Sequence, residues 1–428
     1  MLTSTLHDII LSLMPVFTEP SANIFQAFIR GWILCPSRRT VTGMIPYADP
    51  LFERAHDAYH RFWRCSAWAL CRLWKLWART LITTFAQTTS VWLHTDDTVF
   101  KKTGRKIDGA TYCRDAVRST KNKTMYVWGL HIVSLCLCVH APWGGEPLSV
   151  PINMRLYRKG GPSLLDLVAQ MLQELILWLP DKQFYLTGDG FYACLAGRNI
   201  PRVHIISRMR HDAKLYELPP ARQKGQKGRS RKRGMRLPPP QAMADQVRSW
   251  TRVETCQRGQ TTQRLVWCRQ VLWYAVNKEK PVLLVISRDP EGKQPDDFFF
   301  TTDCSLSAAQ VISAAADRWA IEDTFRNLKQ YLGAEQPQCY KAQGPEKAAA
   351  FSCFLYGLVW LWFIQNGQSN YKAPHRPWYQ HKQGFSFHDA LATLRLDLWR
   401  HSFLQGSKKV SYLDKIYEPL LQAAAWAA

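Results

Sequence analysis

Hydrophobic positions change their period along the chain, and this change predicts where helices give way to strands. Up to about residue 87 the apolar residues have helical spacing, with predicted helices at 24–30 and 50–85. A further helix is predicted at 163–179. From residue 88 the alternation predicts one long strand or a hairpin at 124–140 and strands at 91–98, 148–157, 183–188 and 202–207. The pattern indicates a helical amino-terminal region followed by a mixed α/β region.

A basic segment interrupts this order after residue 208. Residues 222–236 carry eight lysines and arginines with glycines between them. Strands resume at 247–253, 264–276 and 281–287. A helix that begins after cap-forming residues at 303–305 then runs to residue 329, and an apolar helix follows at 348–364. This apolar run is shorter than the roughly 20 residues of a membrane span, so we predict a buried core helix.

The chain is strongly basic. Its 428 residues contain 56 Lys and Arg against 33 Asp and Glu, which gives a formal net charge of +23. Such an excess points to a polyanionic partner, with nucleic acid as the first candidate and an acidic membrane surface as the second. Hydrophobic residues make up 46% of the chain, enough for the core of a globular protein.

The cysteines point to a reducing compartment. The 12 cysteines include no Cys-x2-Cys pair and no Cys/His array with zinc spacing. Cys136 and Cys138 alternate in a predicted strand, so both face the same side. The amino terminus has no basic and apolar leader with a small-residue cleavage site. We therefore expect a cytoplasmic protein with reduced, mostly buried thiols.

Three acids stand inside predicted elements or at their ends. Asp96 and Asp189 each follow an apolar strand-like run, and Glu322 lies in the predicted helix that reaches residue 329. At about 100° per residue, Arg318, Glu322 and Lys329 fall within a stripe about 40° wide, so two cations flank a carboxylate on one helix face. A solvated row of ion pairs has the same pattern. The two strand-end acids upstream favour a site for phosphate and metal instead.

These acids stand in three blocks that resemble those of a known family. The first block is 95–98, Thr-Asp-Asp-Thr, and the second is 188–192, Gly-Asp-Gly-Phe-Tyr. The third block keeps the spacing Arg318-x3-Glu322-x6-Lys329. Together they resemble the cut-and-paste insertion-sequence DDE transposases that carry a β-strand insertion before the catalytic glutamate.

The resemblance implies a fold and a division of the chain. The fold is an α/β ribonuclease-H-like mixed sheet flanked by helices, interrupted by a β-rich insertion domain and preceded by a helical amino-terminal domain. The order of the predicted strands and helices agrees with it. The implied regions are 1–87 (helical, DNA-binding), 88–211 (catalytic core, first part), 212–300 (β-rich insertion with the basic loop), 301–370 (catalytic core, second part) and 371–428 (carboxy-terminal region).

The resemblance also implies the catalytic and metal-binding residues. Asp96, Asp189 and Glu322 would hold two Mg²⁺ ions, for which Mn²⁺ can substitute. The family's Asp-x-Thr spacing favours Asp96 as the first acid, with Asp97, on the opposite face of the strand, as the alternative. The family has a tyrosine three residues before its arginine, and this chain has Ala315 there. We therefore do not expect that tyrosine's contact with the DNA end.

Two further groups of residues are candidates for DNA contacts. Cations near the acids and in the basic segment are predicted to bind phosphates: Arg318, Lys329, Arg326, Lys102, Arg229, Arg231, Lys232 and Arg233. For the basic segment, a solvated loop is an equal interpretation. In the family a tryptophan of the insertion can stack on a flipped base, and the candidates by location are Trp250, Trp267 and Trp273. For each of these, a place in a β-sheet core is the favoured interpretation.

The function implied by the resemblance is that of a DNA transposase. It would bind the terminal inverted repeats of its element, cleave DNA by metal-dependent hydrolysis and join the 3′-OH ends to target DNA. We expect a homodimer in the synaptic complex, no membrane partner, and a cytoplasmic, nucleoid-associated location. Two alternatives stay open: a ribonuclease-H-like nuclease or resolvase without strand transfer, and a non-catalytic DNA-binding protein derived from a transposase. The presence of all three acids argues against the last.

Overall fold

Strands from distant parts of the chain join in one mixed sheet. The computed structural model describes residues 2–115, 118–120, 122–220, 231–371, 384–404 and 420–426. The strands are β1 (Ser90–Lys101), β2 (Ala110–Arg114), β3 (Tyr126–Val139), β4 (Leu148–Leu156), β5 (Gln183–Gly188), β6 (Val203–Arg208), β7 (Thr251–Gln257), β8 (Gln260–Val271), β9 (Val282–Arg288) and β10 (Asp297–Thr301). The helices are α1 (Ser4–Leu11), α2 (Glu19–Leu34), α3 (Val41–Ala48), α4 (His56–Arg64), α5 (Leu70–Phe85), α6 (Leu164–Trp178), α7 (Pro240–Gln246), α8 (Ala308–Asp317), α9 (Ala320–Gln330), α10 (Gly344–Trp362) and α11 (Phe387–Leu404).

Five strands form the centre of the sheet in the order β4–β3–β1–β5–β6. β1 pairs antiparallel with β3 and parallel with β5, and β5 pairs parallel with β6. The segment predicted as one strand or a hairpin is a single strand, β3, because β2 pairs with its first half and β4 with its second half. The predicted α/β ribonuclease-H-like fold class is therefore confirmed.

The strands of the predicted insertion continue this sheet. β10 pairs antiparallel with β6, and β9, β8 and β7 follow outward in that order. The insertion is therefore joined edge to edge with the ribonuclease-H-like strands instead of forming a sheet of its own. The sequence pattern missed β10 because Phe298, Phe299 and Phe300 are buried on both faces and do not alternate with polar residues. The domain boundaries given above stay predictions.

The helix predicted at 50–85 is two helices in the structure, α4 and α5, separated by a break at 65–69. Lys347, from α10, donates from Nζ to the Ser66 carbonyl at 2.8 Å and lies over the Trp68 ring. The Trp68 indole donates to the Phe62 carbonyl at 3.1 Å. Because these contacts use backbone carbonyls at the end of α4, the chain turns there instead of continuing the helix.

α10 is the central helix of the core. The amino-terminal helices pack on it through tryptophans and phenylalanines, such as the edge-on pair Trp77 and Phe354. The Trp77 indole also donates to the Pro151 carbonyl of β4 at 3.1 Å, which ties α5 to the sheet. In the described part of the chain, the stretch 344–370 is the one helix long and apolar enough to cross a membrane, but 89% of its apolar window is buried within the protein. It lies in the core, as predicted.

Candidate active site

The candidate site lies where β1 passes the end of β5. The parallel pairing of these strands includes His94 with Thr187. Two residues further on, the same register aligns Asp96 with Asp189, the first residue after β5. Residues at the same level of neighbouring parallel strands point to the same face of a sheet. The two strand acids therefore stand next to each other.

Asp96 and Asp97 have different partners because they point to opposite faces of β1. The Asp97 carboxylate accepts a hydrogen bond from the Tyr192 hydroxyl at 2.8 Å and contacts the His131 ring at 2.6 Å. Asp96 contacts the Arg318 guanidinium, on the side of the sheet that α9 covers. Of the two, Asp96 is thus the one on the side of Glu322. Tyr192 stands in the second sequence block, but its contact with Asp97 could not be predicted, because Tyr192 and His131 are both far from Asp97 along the chain.

The position of Asp189 is fixed by a tight turn. Its Oδ1 accepts the backbone N–H of Phe191 at 2.9 Å, and its carbonyl accepts the Ser207 hydroxyl at 2.7 Å. A Cβ on Gly188 would lie 2.7 Å from the Cβ of Tyr192. Only glycine therefore lets the chain turn closely enough for Tyr192 to reach Asp97.

The charges around Asp96 favour the uptake of a cation. Burial, helped by the negative charges of Asp97 and Asp189, raises the pKa of Asp96 to about 7, against the lowering effects of Arg318 and of a hydrogen bond from the Asp97 backbone N–H. A carboxylate in this position is stabilised by any positive charge placed between it and the other acids. The same features make it a suitable ligand for a metal ion.

Arg318 joins the strand acids to the helix acid. Its Nη1 lies 3.0 Å from Asp96 Oδ2, and its Nη2 lies 3.6 Å from Glu322 Oε1. The prediction of one continuous helix through residues 317–329 is wrong, because α8 ends at Asp317 and α9 begins at Ala320. The turn between them is tightened by a bond from the backbone N–H of Trp319 to the Ala316 carbonyl at 3.2 Å. The turn directs the guanidinium toward β1.

Lys329 reaches the same face of β1 one step further along. Its Nζ lies 2.8 Å from Thr98 Oγ1. Thr98 is two residues after Asp96, so both side chains leave the strand on the same side. The two side chains of the Asp-x-Thr pattern on β1 therefore each contact one cation: Asp96 contacts Arg318, and Thr98 contacts Lys329. Burial lowers the pKa of Lys329.

The other predicted phosphate-binding cations differ in exposure. Lys102 is buried, and its Nζ donates to the carbonyls of Glu335 and Pro337 at 2.8 and 3.1 Å. The ammonium thus holds the chain after α9, and its predicted DNA contact stays a prediction. Arg326 is exposed on α9 and pairs with Asp323 at 2.7 Å. Arg231 and Lys232 are exposed, the Arg233 guanidinium lies 4.3 Å from the centre of the Tyr216 ring, and Arg229 lies outside the described residues.

The three candidate tryptophans are packed against neighbours. Trp273 is buried and meets Phe300 edge-on at 5.2 Å, so it cannot stack on a base without leaving the core. Trp250 is half-buried, with the Arg288 guanidinium 4.3 Å above its ring. Trp267 is half-buried against the main core. For all three, stacking on a base stays a prediction.

The donor atoms of the three acids suit a hard divalent cation. Asp96, Asp189 and Glu322 offer only carboxylate oxygens, the ligands that Mg²⁺ prefers. In the described chain their oxygens are not all within 4.8 Å of one another. The Arg318 guanidinium lies between Asp96 and Glu322 and carries the positive charge there. The three acids therefore supply ligand atoms that suit the ion. Binding of the ion between them would require the Arg318 side chain to move away.

The comparison with known families covers most of this site. A family model described as DDE superfamily endonuclease matches residues 12–277. The match includes Asp96 and Asp189 and ends before Glu322, whose assignment therefore rests on the position of α9. No curated protein matches the chain. Because the family match spans more than half of the sequence and contains the two adjacent strand acids, the chain belongs to the DDE superfamily endonucleases.

Proposed function

We propose that this endonuclease is a DNA transposase that cuts at the terminal inverted repeats of its element and joins the 3′-OH ends to target DNA. The observation that carries the proposal is the double contact between β1 and the α8–α9 region. Arg318 meets Asp96, and Lys329 meets Thr98. One strand thus presents an acid and a hydroxyl to the two cations that flank Glu322, as the resemblance to insertion-sequence transposases leads us to expect.

The side chains of the candidate site would have different roles in the proposed reaction. Two Mg²⁺ ions, or Mn²⁺ in their place, held by Asp96, Asp189 and Glu322, would stabilise the attacking and leaving oxygens of an in-line displacement at phosphorus. Arg318 would bind the phosphate beside the scissile bond with both arms of its guanidinium, and Lys329 would hold a neighbouring phosphate. The hydrogen bonds from Phe191 and Ser207 keep Asp189 in place.

The rest of the molecule supports a DNA partner. The net charge of +23 favours a polyanion. Arg231, Lys232 and Arg326 are exposed and available for phosphates. We further infer double-stranded DNA as the ligand, a homodimer in the synaptic complex and a cytoplasmic, nucleoid-associated location. The second candidate is a nuclease or resolvase without strand transfer, which the family description as an endonuclease favours.

The test is a strand-transfer assay with duplex DNA that contains an element end, target DNA and Mg²⁺. Asp96→Asn, Asp189→Asn and Glu322→Gln should each lose cleavage and joining while they retain DNA binding, because binding depends on other cations. Asp323→Asn is the matched control, since Asp323 follows Glu322 on α9 and pairs with Arg326. Cleavage without joining by the wild-type protein would favour the nuclease. Near wild-type cleavage by any acid variant would remove that residue from the site.

A further inference from the structure

A second group of metal-ligating side chains lies on the same face of the sheet. It consists of Cys138 near the end of β3, His140 two residues later and Asp317 at the end of α8. One ligand atom of each lies within 4.8 Å of the other two. Cys138 is four residues along β3 from Ser134, the partner of Asp96 in the register. The group is therefore about 13 Å along the strand from Asp96 and forms a separate site.

The fold brings these three residues together from distant positions. Cys138 and His140 point to the same side because they are two residues apart in an extended chain. α8 crosses this face of the sheet and ends with Asp317 above them. Another imidazole on this face, that of His94, is already hydrogen-bonded to Ser149 at 3.1 Å. The sequence spacing gave no sign of the group, because its third member lies on another element.

The donor atoms select a class of metal. A thiolate, an imidazole and a carboxylate together are typical ligands of Zn²⁺, whereas Mg²⁺ and Ca²⁺ take oxygen only. In a tetrahedral zinc site, sulfur and nitrogen ligands are roughly 3.5 Å apart. Cys138 Sγ and His140 Nε2 are 4.0 Å apart. A small side-chain movement would bring both into the coordination sphere of one ion.

Asp317 has an unbalanced charge in this group. Burial and nearby Glu146 raise the pKa of Asp317 to about 7, against the lowering effect of a hydrogen bond from the backbone N–H of Arg258. Within the described ranges, no lysine or arginine side chain forms a salt bridge with Asp317, and the Arg258 guanidinium pairs with Glu146 instead. A bound cation would supply the missing positive charge.

We propose that Cys138, His140 and Asp317 bind a Zn²⁺ ion, with the fourth coordination position open to solvent beside the exposed His140 ring. The ion would join the end of β3 to the end of α8. Since Asp317 immediately precedes Arg318, the ion would also fix the start of the turn that directs Arg318 toward Asp96. It is a positioning site, separate from the all-oxygen site at the three acids.

Co²⁺ is the probe for this site, because a cobalt–thiolate bond gives a charge-transfer absorption band that oxygen ligands do not. The full-length, metal-free protein should develop this band on titration with Co²⁺ in the presence of excess Mg²⁺, and Zn²⁺ should remove it by displacement. Cys138→Ser should abolish the band. Cys256→Ser is the matched control, since Cys256 is an exposed cysteine on β7 outside the group, and should keep it.

His140→Gln provides a variant whose folding is not in question, because the side chain is exposed. It should weaken Co²⁺ binding about 100-fold or more, since even changes outside the first ligand shell cost 10–100-fold. It should also lose the increase in Tm that Zn²⁺ gives the wild-type protein. The absence of a charge-transfer band in the wild type, or its persistence in Cys138→Ser, would overturn the proposal. Unchanged Co²⁺ affinity in His140→Gln would do the same.

Discussion

If the protein is a transposase as proposed, Arg318 and Lys329 are the residues expected to distinguish it from a simple nuclease. A nuclease holds one phosphate while water attacks, but a transposase must retain the freed 3′-OH end until target DNA arrives. Lys329→Ala should therefore reduce strand transfer more than first-strand nicking. Arg318→Lys should also lose joining, although it keeps the positive charge, because one ammonium cannot replace the two arms of a guanidinium.

Both steps can be measured on one labelled DNA end, as nicked and joined products. Arg326→Gln is the control for a lost positive charge on the same helix, because Arg326 is exposed and pairs only with neighbouring Asp323 among the described contacts. It should change both steps by a similar, small factor. Equal loss of nicking and joining in Lys329→Ala would indicate a general role in binding phosphate instead.

His131 links the stability of the site to pH. Burial disfavours its charged form, but the hydrogen bonds and charges of Asp97 and Cys113 together outweigh this and raise the pKa to about 9 from the ordinary 6.5. A histidine whose pKa is higher in the folded chain gives stability that is complete below pH 6.5 and lost as the pH rises through 9. The free energy of unfolding should fall over this range by on the order of 1–3 kcal/mol from this pair.

Urea unfolding at pH 6, 7.5 and 9 would measure this loss. His131→Gln should be less stable than wild type at pH 6, and the difference should shrink toward pH 9. His211→Gln, which changes an exposed histidine, should follow the wild type throughout. If the wild type and His131→Gln lose stability in parallel, the ion pair with Asp97 does not contribute as described.

The structure brings the predicted acids Asp96 and Asp189 to neighbouring strands and shows contacts that the sequence could not predict. Asp96, Asp189 and Glu322 could be singled out as candidates because charge interrupts an apolar pattern at each of them. The alternation of side chains along a strand predicted that Asp96 and Asp97 point to opposite faces, but not which of these faces α9 covers. The contacts of Arg318 with Asp96 and of Tyr192 with Asp97 assign the faces, and both contacts depend on tertiary packing. The burial of the Lys102 ammonium against two carbonyls also depends on tertiary packing, which a sequence does not reveal.

The turn between β5 and the next helical stretch is the element on which the site depends most closely. Gly188 is buried, and a Cβ there would lie 2.7 Å from Tyr192 Cβ and 3.3 Å from a methyl group of Thr95. Gly188→Ala should therefore lower the free energy of unfolding by about 1–3 kcal/mol through overpacking. It should also displace Tyr192 from Asp97. Both effects would appear as a lower Tm and lower cleavage.

Gly190 gives the matched control for this substitution. It lies two residues later in the same turn, its φ is not in the left-handed region, and the nearest atom to an added Cβ is 3.9 Å away. Gly190→Ala should leave the Tm close to that of the wild type. A similar loss of stability in both variants would mean that the turn needs glycine for flexibility and not for the close contact with Tyr192.

Elements were predicted well where one period persisted and poorly where tertiary contacts broke it. The strands β1, β4, β5 and β6 and the helix α6 follow their sequence patterns closely. The break between α4 and α5 depends on Lys347, which contacts Ser66 281 positions away along the chain. The helical spacing of apolar residues continues through the break between α8 and α9, because a single tight turn does not change that spacing. The pattern of residues 317–329 therefore could not reveal the break.

At the scale of the whole molecule, distant segments share one core. The Trp32 indole of α2 donates to the Leu332 carbonyl after α9 at 2.7 Å, and the Arg395 guanidinium of α11 donates to the Ile33 carbonyl at 2.9 Å. The helices before residue 87 are thus packed against the part of the chain that carries Glu322. Such long-range packing has no signature in composition or periodicity, and so the sequence could not predict these contacts between segments.

The positive charge of the whole molecule leads to the last prediction. If DNA ends are bound mainly through phosphates, the logarithm of the affinity should fall linearly with the logarithm of the salt concentration, with a slope of about −0.9 per neutralised phosphate. Neutral replacements for the basic residues within 222–236, part of which lies outside the described residues, should flatten this slope if the segment contacts DNA.

Fluorescence anisotropy of a labelled element end across a salt series would measure the slopes of the wild type and of this variant. A variant that neutralises Arg248 and Arg252, exposed cations elsewhere in the insertion, shows how much the slope changes per lost charge outside the segment. An unchanged slope after replacement of 222–236 would identify it as a solvated loop, and a salt-independent affinity of the wild type would count against DNA as the partner.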